Sequence, residues 1–305
     1  AHEGLIQQAR LWGSTQGKHE VITMQKSFHG RTLATLTATG QDKVKTGFGP
    51  LPEGFVYADF NNIESVEKAI TPQTAAVLVE ALQGEGGVIP AEPDFLSDLR
   101  KLCDEKGILL LCDEVQAGVG RTAKWFGFQN YEVLPDAFSL AKGLGNGFPI
   151  GAIVAGEKLA NVFQPGHHAT TFGGTPLACA AALAVIDVIE EEDLLTNTMM
   201  MGAYFVEGLC DIALNHKQWI SGVRGLGLLL GLVLDVPAAP LQKKLQEKGM
   251  LALATAGNVL RLLPPLNVSQ EEIDQALKLI AESCVELHDE AAALSPNPCE
   301  CGMGK

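Results

Sequence analysis

The feature that most restricts how this chain can fold is the run Gly107-Ile-Leu-Leu-Leu-Cys-Asp-Glu-Val-Gln116. Large aliphatics without polar alternation suit a strand buried on both faces, as in a parallel sheet covered by helices. The run stops abruptly at acids, and in open α/β sheets the carboxyl ends of the strands open into the ligand crevice. A weaker strand signal, Asp136-Ala-Phe-Ser-Leu140, delivers Lys142 the same way, inside Ser139-Leu-Ala-Lys-Gly-Leu-Gly-Asn-Gly-Phe-Pro-Ile-Gly151.

A carboxylate and an amine at neighbouring strand ends, amid glycines, suit pyridoxal phosphate. The lysine can form a Schiff base with the aldehyde, and the aspartate can keep the pyridine nitrogen protonated so that the ring accepts electrons. Two residues alone also fit a solvated loop lysine and a helix-capping aspartate. The remaining sequence has to decide.

A chain of 305 residues, 47% of them hydrophobic, can fill one large domain and a smaller one. Its 22 basic residues face 36 acidic ones, a formal charge of −14, which argues against nucleic acid or an anionic membrane surface as partner. No stretch approaches the ~18 apolar residues of a membrane span, so a soluble, cytoplasmic protein is expected. The odd count of seven cysteines, several inside apolar runs, fits a reducing compartment. Cys299 and Cys301 lack nearby partners to complete four ligands, and no metal site is expected.

Strand-like and helix-like segments alternate to about residue 193: Val21–Met24, Ile63–Ile70, Ala75–Glu80, Phe95–Glu105 and the run into Asp113. This rhythm predicts a mostly parallel α/β domain over 1–193. Pro176–Ile189 reads as an Ala-rich helix, buried rather than exposed. From 194 to 305 a smaller α+β unit is expected. Its strands lie in Val223–Asp235 and Val259–Leu263, a capping box at Ser269-Gln-Glu-Glu272 opens a helix, and the tail from about 291 is expected to be disordered.

Five motifs then follow in order: Ser27-Phe-His-Gly-Arg-Thr32, Glu80-Ala-Leu-Gln-Gly-Glu-Gly-Gly-Val-Ile-Pro90, Asp113-Glu-Val-Gln-Ala-Gly-Val-Gly-Arg-Thr122, Leu140-Ala-Lys-Gly-Leu-Gly145 and Ala169-Thr-Thr-Phe-Gly-Gly-Thr-Pro-Leu-Ala178. Together they resemble the class III (ω-amino acid) aminotransferases of pyridoxal-phosphate fold type I, from Ala1 to about Leu287. The resemblance is strongest to those acting on N-acetylornithine.

The resemblance implies roles. Phe28 stacks on the cofactor ring, and Asp113 holds its nitrogen. Glu114, Val115 and Gln116 line its face and phenolic oxygen, and Lys142 joins it and moves the proton. Arg31 grips the donor's α-carboxylate. Thr171 reaches the phosphate and Thr170 the substrate, both from the second subunit of a homodimer. Glu85 pairs with Arg261 and releases it when 2-oxoglutarate arrives.

The implied reaction moves the terminal amine of N-acetylornithine to 2-oxoglutarate, giving N-acetylglutamate semialdehyde and glutamate, a step of arginine biosynthesis. Ornithine, succinylornithine and 4-aminobutyrate are alternative donors, and a non-catalytic relative is a further alternative. The resembling enzymes carry a phosphate-cradling Ser-Gly-Thr/Ala turn just before the helix that here opens at Ala1, so polypeptide upstream is expected. His2 stands where they usually carry Asn.

Overall fold

The computed structural model describes residues 1–294, with side chains as far as Asp289. The expected disordered tail and the Cys299/Cys301 pair lie outside these residues or at their margin.

A six-stranded sheet forms the frame. Its strands are β1 (Glu20–Met24), β2 (Phe55–Ala58), β3 (Thr74–Glu80), β6 (Leu109–Asp113), β7 (Ala137–Leu140) and β8 (Ala152–Ala155). They lie in the order β2-β1-β3-β6-β7-β8, all parallel except the β7–β8 pair. Two short strands, β4 (Leu82–Gln83) and β5 (Ile89–Pro90), make a separate ribbon.

Successive strand residues point to opposite faces, and both faces here are covered. Ile22, Val77, Val79, Leu110 and Cys112 pack with Val66 of α3 (Ile63–Ala69) and Leu96 and Leu99 of α4 (Phe95–Lys106). Val21, Ala76, Leu78, Leu109 and Leu111 pack with Leu5 and Ala9 of α1 (His2–Ser14) on the other face. This is why the Leu109–Cys112 run needs no polar alternation.

A second sheet, antiparallel, has the order β11-β12-β10-β9: β9 (Ile220–Leu226), β10 (Leu229–Leu234), β11 (Leu253–Thr255) and β12 (Val259–Leu262). It packs on Phe205 and Leu209 of α6 (Leu194–Asn215), Leu241 and Leu245 of α7 (Ala239–Glu247), and Ile273 and Ile280 of α8 (Gln270–Leu294). The capping box at the start of α8 forms as read: Glu272 N–H donates to Ser269 Oγ, and Ser269 N–H donates to Glu272 Oε2.

Two expectations need correction. The apolar stretch through Val223–Asp235 contains a hairpin, with Leu226 paired to Leu229 and Gly227 at φ 56° in the turn. A Cβ at Gly227 would stand 2.7 Å from the Arg121 carbonyl, so the turn admits only glycine there. The helix read as buried, α5 (Pro176–Glu191), is largely open to solvent: it buries only Ala178, Ala182 and Ile189, while Leu177, Leu183 and Val188 are exposed. Its apolar surface is too wide for the single stripe that this chain's own core covers.

Candidate active site

Because β1, β3, β6 and β7 run parallel, their carboxyl ends share one edge. The register sets Glu80 beside Asp113 and Asp113 beside Ser139, and Lys142 follows three residues on. The segment leaving β1 adds Phe28 and His29. Six residues from four strand ends thus meet through topology alone.

Asp113 is buried and well contacted. His29 Nδ1 lies 2.8 Å from Oδ2, His2 Nε2 lies 2.8 Å from the same oxygen, and the Val115 N–H donates to Oδ1 at 3.0 Å. Burial alone would raise this carboxyl, but the pull of His2, followed by that of His29, outweighs it and holds the group well below the usual carboxylate range. The three ligand-type atoms lie within 4.8 Å of one another, yet 2.8 Å spacings are those of direct polar contacts. Ligands around a shared zinc ion, each about 2 Å from the metal, would stand further apart.

Glu80, the register neighbour, has the opposite fate. Burial, then the Asp113 charge, push its carboxyl well above the ordinary value, even though the Phe28 N–H donates to its Oε2 at 3.3 Å. Two adjacent carboxyl groups pushed apart in this way leave one anion, at Asp113. His29 is fully buried, and desolvation lowers its pKa despite the hydrogen bond to Asp113. Its Nδ1 faces Asp113, while its Nε2 is buried without a partner.

Lys142 is reachable from solvent, but the protein around it lowers its pKa by desolvation, against the pull of Asp113 and Glu85. More of the nucleophilic neutral amine is therefore present than on a free lysine. Its backbone sits at φ 44°, a left-handed conformation costly for a non-glycine residue and concentrated at functional sites. Lys142 shares a concavity with Val115, Gln116 and Gly118.

Beside it, Arg261 of β12 is 6% exposed and bonds Glu85 Oε1 at 2.7 Å and Gln116 Oε1 at 3.3 Å. Thr255 Oγ1 donates to the Glu85 carbonyl and Arg224 to that of Gly87, so the second sheet is stitched to this loop. The Arg31 guanidinium lies 5.5 Å above the half-buried Phe28 ring, a cation–π contact that orients it.

Three expected residues are not brought to this cluster by the chain itself. Glu114 points the other way: its oxygens accept the Gly127 and Phe128 N–H groups at 2.7 and 3.0 Å, so its side chain clamps a loop. Burial nonetheless raises its carboxyl to about 8. Thr170 and Thr171 are exposed, and Thr170 lines a different concavity with Ala1, Glu3 and Gly4. Glu80, His29 and the Asp113 contact of His2 are the additions. Glu80 could have been found from sequence, since it ends β3 as Asp113 ends β6.

The donor set fits pyridoxal phosphate. An aspartate held ionised suits a protonated ring nitrogen, a partly desolvated amine suits an aldehyde, Phe28 offers a flat apolar face and Val115 an aliphatic one. A mostly parallel sheet with this edge defines an α/β enzyme of pyridoxal-phosphate fold type I.

Comparison with known proteins agrees. The profile described as "Aminotransferase class-III" matches residues 1–284. The acetylornithine aminotransferase of Caldanaerobacter subterraneus subsp. tengcongensis is 47% identical over 291 residues, 94% of this chain and 74% of the relative. "Acetylornithine aminotransferase 1" of Bordetella bronchiseptica is 49% identical over 284 residues, covering 92% and 72%. Among solved structures, an ornithine aminotransferase from Toxoplasma gondii, described with partial occupancy of PLP at the active site, superposes with a TM-score of 0.91 at 33% identity over 95% of this chain and 71% of its own. N-acetylornithine aminotransferase from Stenotrophomonas maltophilia K279a gives 0.81 at 34%, covering 95% and 73%. The chain belongs to the class III aminotransferases, a family of pyridoxal-phosphate-dependent transaminases. Among the described residues no helix is long and apolar enough to cross a membrane.

Proposed function

We propose that this chain binds pyridoxal phosphate and transfers the terminal amine of N-acetylornithine to 2-oxoglutarate, working as a homodimer. The observation that carries the reading is the Arg261–Glu85 pair beside Lys142. An arginine whose charge is offset by a movable glutamate suits a pocket that must take first an amine donor and then a dicarboxylate. The names of the relatives support the choice of donor.

When bound, the cofactor supplies an aldehyde that takes up an amine and a ring that accepts electrons. The protein residues do the rest. Asp113 accepts the ring N–H, with Phe28 and Val115 against the ring faces and Gln116 toward the phenolic oxygen. Lys142 Nζ, in its neutral form, would take a proton from the carbon that carries the donor's amine and return it to the cofactor carbon on the far side of that nitrogen. Arg31 meets the donor's α-carboxylate as a bidentate fork. Arg261, released by Glu85, meets a carboxylate of 2-oxoglutarate. Thr171 and Thr170 of a second copy complete the phosphate and substrate contacts. The exposed apolar residues Phe172, Leu177 and Leu183 beside them supply a surface for that copy.

The test is the visible spectrum of the chain loaded with pyridoxal phosphate. The band is expected to bleach with N-acetylornithine and return with 2-oxoglutarate. A band that ignores N-acetylornithine but bleaches with ornithine or 4-aminobutyrate overturns the donor, and no band at all overturns the cofactor assignment.

A further inference from the structure

Asp113 is approached by two imidazoles, and only one of them comes from the strand-end segments that build the site. His29 is carried in from β1. His2 is the first residue of α1, from the opposite side. Its side chain is 10% exposed, and Nε2 is buried with no hydrogen bond of good angle. That atom nevertheless stands 2.8 Å from Asp113 Oδ2, and the two imidazole rings meet edge to face at 5.7 Å.

A carboxylate has about two in-plane acceptor positions on each oxygen. Oδ2 is enclosed by His29 Nδ1 on one side and His2 Nε2 on the other. Oδ1 carries one partner, the Val115 N–H, and keeps one position free. Resting on the reading that Asp113 meets the cofactor's ring nitrogen, we infer that His2 is a positioning residue. It closes Oδ2, so that Oδ1 is the oxygen left for the ring N–H, and it fixes the tilt of the carboxylate.

The distinction from an ordinary first-turn residue lies in what His2 can affect. A residue that only caps or packs α1 would change thermal stability and leave cofactor binding and colour alone. A holder of Asp113 changes both of the latter. Without it the buried carboxylate loses one of the groups offsetting its desolvation and also becomes free to turn.

The experiment compares wild type, His2→Phe and His2→Asn, using pyridoxal phosphate as the probe. The Phe variant keeps an aromatic ring and removes the nitrogen, while the Asn variant restores a polar donor. The dissociation constant of pyridoxal phosphate is expected to rise about tenfold in His2→Phe, with a shifted visible band, and to recover most of the way in His2→Asn.

In wild type, pyridoxal phosphate is expected to move the side-chain ¹⁵N resonances of His2. This measurement needs no variant and therefore survives a misfolded one. A His2→Phe chain with wild-type affinity and colour, or His2 resonances indifferent to the cofactor, would overturn the inference while leaving the proposed function intact. A wild-type chain that takes up no pyridoxal phosphate would overturn both.

Discussion

The strand-end cluster and the segment from His167 through α5 make opposite demands. In the first, the buried charges are answered within the chain: Asp113 by His29, His2 and the Val115 N–H, Arg261 by Glu85 and Gln116. In the second, Phe172 is 81% exposed and Leu177 68%, and the neighbouring threonines stand open. Charge is expensive to bury unpaired, so the fold settles it locally. Apolar surface can wait for a partner, because burying it requires no particular geometry. The chemistry is therefore built inside one chain, and in the proposed homodimer its enclosure would fall to a second copy.

The sharpest break of that contrast is Lys142→Ala. Transamination is expected to fall by at least about 10³-fold, with folding and assembly unchanged. Turnover assays and sedimentation read the two effects separately, and near-normal turnover would sink the assignment. Leu177→Asp is the converse. The dimer dissociation constant should rise about 30-fold, the effect of losing one central apolar contact, while the monomer keeps its fold. A mass distribution identical to wild type would mean that this face is not the interface.

Glu85→Ala acts at the boundary between the sheets. Arg261 loses its internal counter-ion, so the KM for 2-oxoglutarate should fall several-fold and dicarboxylates should inhibit the donor half-reaction more strongly. Equal KM values in variant and wild type would reduce the pair to a structural tie.

The smallest effect belongs to Glu114. Its carboxyl is raised in the folded chain to about 8, above its unfolded value, so the folded state holds the proton more tightly. The stability associated with that proton is present below the unfolded pKa and is lost as pH climbs toward about 8. Glu114→Ala should flatten this dependence. It should also cost about 1–3 kcal/mol through the stranded Gly127 and Phe128 N–H groups. Chemical denaturation at several pH values reads both.

Much of this was legible in the residues. The run into Asp113 specified a buried parallel strand because no alternation interrupted it, and Ser269 with Glu272 marked a helix start by side-chain chemistry alone. Glu114 was legible in principle, since adjacent strand residues face opposite ways and Asp113 already claimed the crevice. The hairpin at Gly227 was hidden because its turn lies within an unbroken Leu/Gly run. Placing His2 and His29 on one oxygen required the packing of α1 against the sheet, which no local pattern encodes. The exposure of α5 escaped for another reason: an apolar helix reads the same whether its own core or a second copy covers it.

The separation of Thr170 and Thr171 from Lys142 carries a genetic consequence. If each site draws its lysine from one copy and its threonines from the other, two different lesions need not add. A chain disabled at Lys142 and another disabled at Thr171 would each be silent alone, yet a hybrid of the two would contain one site with neither fault. Alleles that fail singly would then complement each other inside one cell.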